Sequence, residues 1–219
     1  MLEKIEIEPR GAARSTVIWL HGLGADGHDF EPLLRQWRLA DELGVRFVLP
    51  HAPVRPVTLN AGMCMRAWYD IYDLGFDGPE DAHGLEVSRG QLLALVEREQ
   101  QRGIASDRIL LAGFSQGGAV ALHTALRYDA PLAGVLVLSA YLPLHERLDA
   151  EKQADPASLI LRMDHGTQDP VVPFAAAQKS VEWLQAGGFR VDFHTYAMEH
   201  GLCPAQIVSL RDWLQARLG

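Results

Sequence analysis

The sequence predicts an α/β architecture, a mostly parallel central sheet with helices on both faces, and three observations point to it. Short apolar runs alternate along the chain with longer amphipathic ones, the pattern of parallel strands joined by crossover helices. Most of the short runs show no polar alternation, as strands covered on both faces require. No repeat, low-complexity tract or linker interrupts the 219 residues, a length that fits one domain over residues 1–219 better than two small ones.

In chain order, Met1-Leu2-Glu3-Lys4-Ile5-Glu6-Ile7-Glu8 alternates apolar and charged residues. This predicts an edge strand over 2–8, since a secretion signal needs a basic start and a continuous apolar core. Residues 16–20 form the next strand and run into His21-Gly22-Leu23-Gly24. A helix is expected over 30–43 and a strand over 46–49, followed by a fixed connection in which Pro50, Pro53 and Pro56 set the backbone. Residues 58–81 hold Trp68, Tyr69, Tyr72 and Phe76 without helical period, and loops this long are usually functional or carry small strands of their own. Leu85, Leu92, Val96 and Glu99 fall near helical spacing and predict a helix over 84–102, with Gly103 as its C-cap. Strands at 108–112, 134–138, 158–163 and 190–196 alternate with helices at 116–128, 174–186 and 204–218. The last helix opens on Pro204, a good first helical residue, and carries Ile207, Leu210 and Leu214 on one stripe. Only about twenty residues separate the strands at 134–138 and 158–163, so no large cap domain fits there.

Composition removes several function classes. Apolar residues make up 48% and charged residues 22%, ordinary for a soluble domain with a sizeable core. The net charge of −8, from 20 basic and 28 acidic residues without a Lys/Arg cluster, argues against nucleic-acid binding. Cys64 and Cys203 lie in unrelated settings without metal spacing, which predicts neither a disulfide framework nor a zinc site and suits a reducing, cytoplasmic compartment. No apolar run is long enough to span a bilayer.

The chemistry concentrates at Gly113-Phe114-Ser115-Gln116-Gly117, which follows the apolar run Ile109-Leu110-Leu111-Ala112 and leads into a helix-compatible run. Strand, Gly-x-Ser-x-Gly, helix is the context of a nucleophile elbow, where a serine sits on a strained turn with its side chain above the sheet. Small residues also occur wherever a helix packs tightly on a strand, so Ser115 needs partners: a histidine to take its proton and an acid to fix the histidine's tautomer. In the order Ser, acid, His, the chain supplies Asp169 in His165-Gly166-Thr167-Gln168-Asp169-Pro170 and His200 in Met198-Glu199-His200-Gly201. Both follow predicted strands, and loops beyond the carboxyl ends of parallel strands converge on one crevice.

Rival readings accompany each residue. Asp164 is an alternative acid, although it abuts the strand and lacks the turn room that Gly166 and Pro170 give Asp169. His21, His51, His165 and His194 are alternative histidines near strands, and His194, inside its strand, reads as a packed or satisfied side chain. The oxyanion of acyl transfer needs backbone donors; Gln116 supplies one and the Gly22-Leu23-Gly24 loop the other, with Leu23 the candidate. That loop also matches Gly-x-Gly-x-x-Gly, but the next strand ends in Pro50-His51 rather than the acid a dinucleotide ribose requires. His165, Asp169, His194 and His200 could be imagined around a metal, without diagnostic spacing. No metal or cofactor is therefore expected.

Taken together, these residues resemble the carboxylesterase, lysophospholipase and acyl-protein thioesterase group of α/β-hydrolases, and look closest to its bacterial carboxylesterases. The likeness rests on Val17-Ile18-Trp19-Leu20-His21-Gly22-Leu23-Gly24, residues 50–58, Arg66-Ala67-Trp68-Tyr69-Asp70, Gly113-Phe114-Ser115-Gln116-Gly117-Gly118, residues 165–173 and His200. The resemblance implies Ser115 as nucleophile, Asp169 as acid, His200 as base, and Leu23 and Gln116 as oxyanion donors. It further implies Ile71, Leu74, Tyr141 and Val171 as acyl-pocket contacts and a small acyl ester or acylated molecule as substrate. Apart from the resemblance, Trp68, Tyr69 and the other aromatics offer either a pocket wall or a homodimer contact, with core packing the ordinary alternative. Gly201-Leu202 departs from the Ser-Val or Ser-Ser that relatives often carry after the histidine. The reading from another class is a non-catalytic scaffold of the same fold used for binding, since fold does not fix function.

Overall fold

A computed structural model describes residues 2–72 and 78–219. Its strands are β1 (Lys4–Ile7), β2 (Ser15–Leu20), β3 (Val45–Pro50), β4 (Val54–Val57), β5 (Met63–Arg66), β6 (Ile109–Phe114), β7 (Gly134–Leu138), β8 (Leu161–Gly166) and β9 (Val191–Tyr196). Seven of them form one sheet in the order β1-β3-β2-β6-β7-β8-β9, in which only β1 runs antiparallel to its neighbour. The helices are α1 (Glu31–Trp37), α2 (Leu39–Leu43), α3 (Ala82–Gln101), α4 (Gln116–Leu126), α5 (Leu148–Glu151), α6 (Phe174–Ala186) and α7 (Pro204–Leu218).

The missing polar alternation has a direct structural cause. In β2, Ile18 and Leu20 belong to the core formed with Leu85, Leu92 and Leu122 from α3 and α4, which extends along the sheet to Leu184 of α6. Val17 and Trp19 point the other way, into Leu34, Trp37, Leu210 and Leu214 of α1 and α7. Successive side chains face opposite sides of a strand, so a strand covered twice must be apolar at both parities. β9 at the sheet's edge is less covered and mixes half-buried with exposed residues, none of them fully buried.

All seven predicted strands are present, with shifts that have local causes. The helix expected over 30–43 breaks at Arg38, whose φ of 59° is left-handed, so the chain makes two short helices instead of one. The strand expected at 158–163 starts later, at Leu161, because Asp155 organises a turn: its side chain accepts from the Ala157 N–H and its carbonyl from the N–H groups of Ser158 and Leu159. The segment 58–81 does carry a strand of its own, β5, which pairs antiparallel with β4; β4 begins inside the proline-rich connection. Gly103 follows α3 with a φ of 91°, as a residue beyond a helix C-terminus should. Between β7 and β8 there is only a 3₁₀ turn (His145–Arg147) and α5, so no large cap is present among the described residues.

Candidate active site

Strand β6 ends at Phe114, α4 starts at Gln116, and Ser115 between them has φ 54° and ψ −124°. Such a conformation costs a non-glycine residue about 1–3 kcal/mol and persists only where the surroundings impose it. Here they do: the Ser115 N–H donates to Leu138 O at 2.8 Å, and Ser115 O accepts from the Ala119 N–H at 3.1 Å. The turn also needs its glycines. A Cβ on Gly113 would run into the backbone of Gly117, and one on Gly117 would lie 2.5 Å from His21 O and 2.6 Å from Leu20 O.

The acid and the histidine arrive from the ends of β8 and β9, which the structure draws together at Gly166. A Cβ there would collide with the backbone carbonyls of Met198 and Glu199. Thr167 N–H donates to Tyr196 O at 2.8 Å and Gln168 N–H to Met198 O at 3.1 Å, so the loop after β8 is laced to the loop after β9. Asp169 therefore lies against His200, with Oδ2 2.7 Å from His200 Nδ1, while His200 Nε2 lies 3.0 Å from Ser115 Oγ. The other carboxylate oxygen, Oδ1, accepts from the N–H groups of Val171 (2.8 Å) and Val172 (2.9 Å). A carboxylate only accepts, so His200 must donate from Nδ1, which leaves Nε2 free to accept the serine proton.

The rival residues are occupied elsewhere. Asp164 is an interior residue of β8, 1% exposed, and receives Arg162 at 2.7 and 3.0 Å in a bidentate pair. His165 is buried behind the site and donates from Nε2 to Val172 O at 2.8 Å; burial holds its pKa below the ordinary histidine range. His21 is locked as a neutral ring, because Nε2 accepts from the Ala52 N–H at 3.0 Å and Nδ1 then donates to Gly22 O at 2.7 Å. Desolvation lowers its pKa to about 4. His51 accepts from the Gly27 N–H at 3.0 Å, and His194 lies on the edge strand 2.9 Å from Asp192 rather than packed inside. Among the described residues, no group of three or more His, Cys, Asp or Glu side chains gathers where it could hold a metal.

Ser115 opens into a largely apolar cavity that Leu23 and Gln116 line beside it. Of the four anticipated acyl contacts, Ile71, Tyr141 and Val171 line this cavity, and Leu74 lies outside the described residues. Leu59, Tyr69, Tyr72, Pro79, Glu80 and Val172 join them; of these, only the aromatics are flagged by sequence, and only as one option beside core packing. The Tyr69 and Tyr141 hydroxyls are 3.2 Å apart, and burial raises the pKa of both. Gln116 is the first residue of α4 and lines the cavity beside Ser115, and its N–H is one of the helix N-terminal donors left without an intrahelical partner.

A strained serine between a parallel strand and a helix, linked through a histidine to a carboxylate on later loops, defines the α/β-hydrolase class. Within that class the chain belongs to the Phospholipase/Carboxylesterase family, whose sequence profile matches residues 3–218. It is 36% identical to the acyl-protein thioesterase 1 of Cryptococcus neoformans over 99% of this chain and 98% of that one. It is 38% identical to the acyl-protein thioesterase 1 of Neurospora crassa over 93% and 87%. Among solved structures, the acyl-protein thioesterase 2 of Zea mays superposes with a TM-score of 0.89, 31% identity and complete coverage of both chains.

Proposed function

We propose that the protein is a serine carboxylic-ester hydrolase in which Ser115, His200 and Asp169 are nucleophile, base and orienting acid. The observation that carries this reading is the continuous pair of contacts from Asp169 through His200 to Ser115, at 2.7 and 3.0 Å, on a serine held in a strained turn. Ser115 Oγ attacks the acyl carbonyl as its proton passes to His200 Nε2, and the backbone N–H groups of Leu23 and Gln116 receive the developing oxyanion. His200 then protonates the leaving alcohol or thiol. Water, deprotonated by the same imidazole, adds to the acyl-enzyme and releases the acid.

The apolar wall formed by Ile71, Tyr141 and Val171 supports an acyl chain as the group bound. With no large cap over the site among the described residues, esters with short to medium acyl chains are the favoured substrates. A second reading, hydrolysis of thioesters on acylated proteins, is supported by the thioesterases named above, which cover nearly the whole chain. The lack of a large cap among the described residues also supports a lysophospholipid as a further substrate class.

A fluorophosphonate probe tests the assignment: wild type becomes labelled and Ser115→Ala does not. Equal labelling of both proteins, or of neither, removes Ser115 as nucleophile. Rates across an acyl-length series of oxygen esters and thioesters then separate the two substrate readings.

A further inference from the structure

The two proposed oxyanion donors lie on different elements, Leu23 on the loop after β2 and Gln116 at the start of α4. A hydrogen-bond pocket built from two elements works only if their spacing is fixed before the reaction, because preorganisation is what makes such donors effective. The segment 66–69, which begins at the last residue of β5, touches both. Arg66 O accepts from the Gly24 N–H at 2.9 Å, and the Trp68 indole Nε1–H donates to His21 O at 2.9 Å. These contacts grip the loop on either side of Gly22-Leu23.

From the other side, the buried Gln116 side chain accepts from the Trp68 N–H at 2.8 Å and donates to Tyr69 O at 2.7 Å. The same residue that offers its own N–H to the oxyanion thus holds the segment that grips the opposite donor. His21 O, which the indole engages, is also the atom that approaches Gly117 in the first turn of α4. Trp68 is itself only 2% exposed, and its carbonyl accepts from Ser88 Oγ on α3.

We propose that Trp68 is a positioning residue that sets the separation of the Leu23 and Gln116 donors, with the Gln116 amide as its clamp. It does not touch the substrate; it acts through the two backbones it joins. The inference rests on the assignment of Ser115 and its oxyanion site above. It predicts a loss confined to the charged tetrahedral state, since ground-state binding in the acyl cavity uses other atoms.

The test is Trp68→Phe, which keeps an aromatic ring and removes the indole donor. Its kcat for a short p-nitrophenyl ester falls about tenfold, less than the hundredfold or more that loss of a whole oxyanion donor costs, while KM stays within about twofold. A trifluoromethyl ketone, which adds to Ser115 as a charged tetrahedral adduct, binds more weakly by the same factor as kcat/KM falls. An unchanged kcat, or a reduced kcat/KM carried by KM with the ketone's affinity intact, overturns the proposal. Gln116→Met removes the clamp from the opposite end and decides alone if the Trp68 variant does not fold; unchanged ketone affinity there overturns it equally. Fluorophosphonate labelling separates the two layers: an unlabelled wild type defeats the serine assignment, whereas full labelling with undiminished ketone affinity in the variants defeats only the brace.

Discussion

Asp169→Asn isolates the orienting role proposed for the acid with little other disturbance. Oδ1 of Asp169 accepts two backbone N–H groups, from Val171 and Val172, and only an oxygen can remain there. The asparagine must therefore direct its NH₂ toward His200 Nδ1, now 2.7 Å from Oδ2. An NH₂ donates, so Nδ1 becomes an acceptor and the ring proton moves to Nε2, facing Ser115 Oγ. The base would then meet the nucleophile with its proton already in place. The same wrong-tautomer exchange in a serine protease lowers kcat about ten-thousandfold, close to 5.4 kcal/mol of barrier. Because the two backbone hydrogen bonds survive, the melting temperature should scarcely move. Steady-state hydrolysis of a short p-nitrophenyl ester, read beside thermal denaturation, tests both halves. A kcat within tenfold of wild type at unchanged stability would refute the tautomer argument.

Acid should weaken the fold before the carboxylates titrate. His21 and His123 are buried, and desolvation holds each pKa near 4. In the unfolded chain both titrate near the ordinary value of about 6.5, so that state takes up protons first as pH falls. Their stabilisation is complete above about 6.5 and is lost toward 4, by about 3 kcal/mol for each ring. Urea midpoints across that window should decline, and His123→Gln should flatten the slope; a midpoint constant from pH 7 to 4.5 contradicts the assignment. Two glycines form a matched contrast. Gly117→Ala places a methyl 2.5 Å from His21 O and should cost about 3 kcal/mol together with most of the activity. Gly90→Ala, exposed on α3 with nothing within 4 Å of the new methyl, should stabilise by about 0.5–1 kcal/mol. Reversed signs in calorimetry would show that local space does not decide either case.

Much of the site was legible because its signals are local. A glycine-flanked serine between an apolar strand and a helix is a contiguous pattern, and the order Ser115, Asp169, His200 needs only the positions of strands. Asp169 was separable from Asp164 by turn residues alone. What decides the matter physically, Arg162 gripping Asp164 within β8, depends on where that strand begins, and the Asp155 turn that delays it left no periodic trace. The break at Arg38 was hidden for a similar reason, since an arginine carries no propensity for a positive φ. The links among Trp68, His21 and Gln116 span 47 and 48 residues. Aromatic content flagged Trp68 and Tyr69, but core packing is the ordinary fate of such residues and sequence offered no way to prefer a bracing role.

The dispersal of Ser115, Asp169 and His200 over the ends of three strands also bears on the history of each molecule as it folds. His200 lies 85 residues from Ser115 and 31 from Asp169, and its loop follows β9, which joins the sheet only through β8. A growing or partly unfolded chain can expose the serine long before it can deprotonate it. With His200 as the proposed base, ester cleavage is expected to be silent in every intermediate that lacks the last strand, and the onset of turnover to date the closing of the sheet.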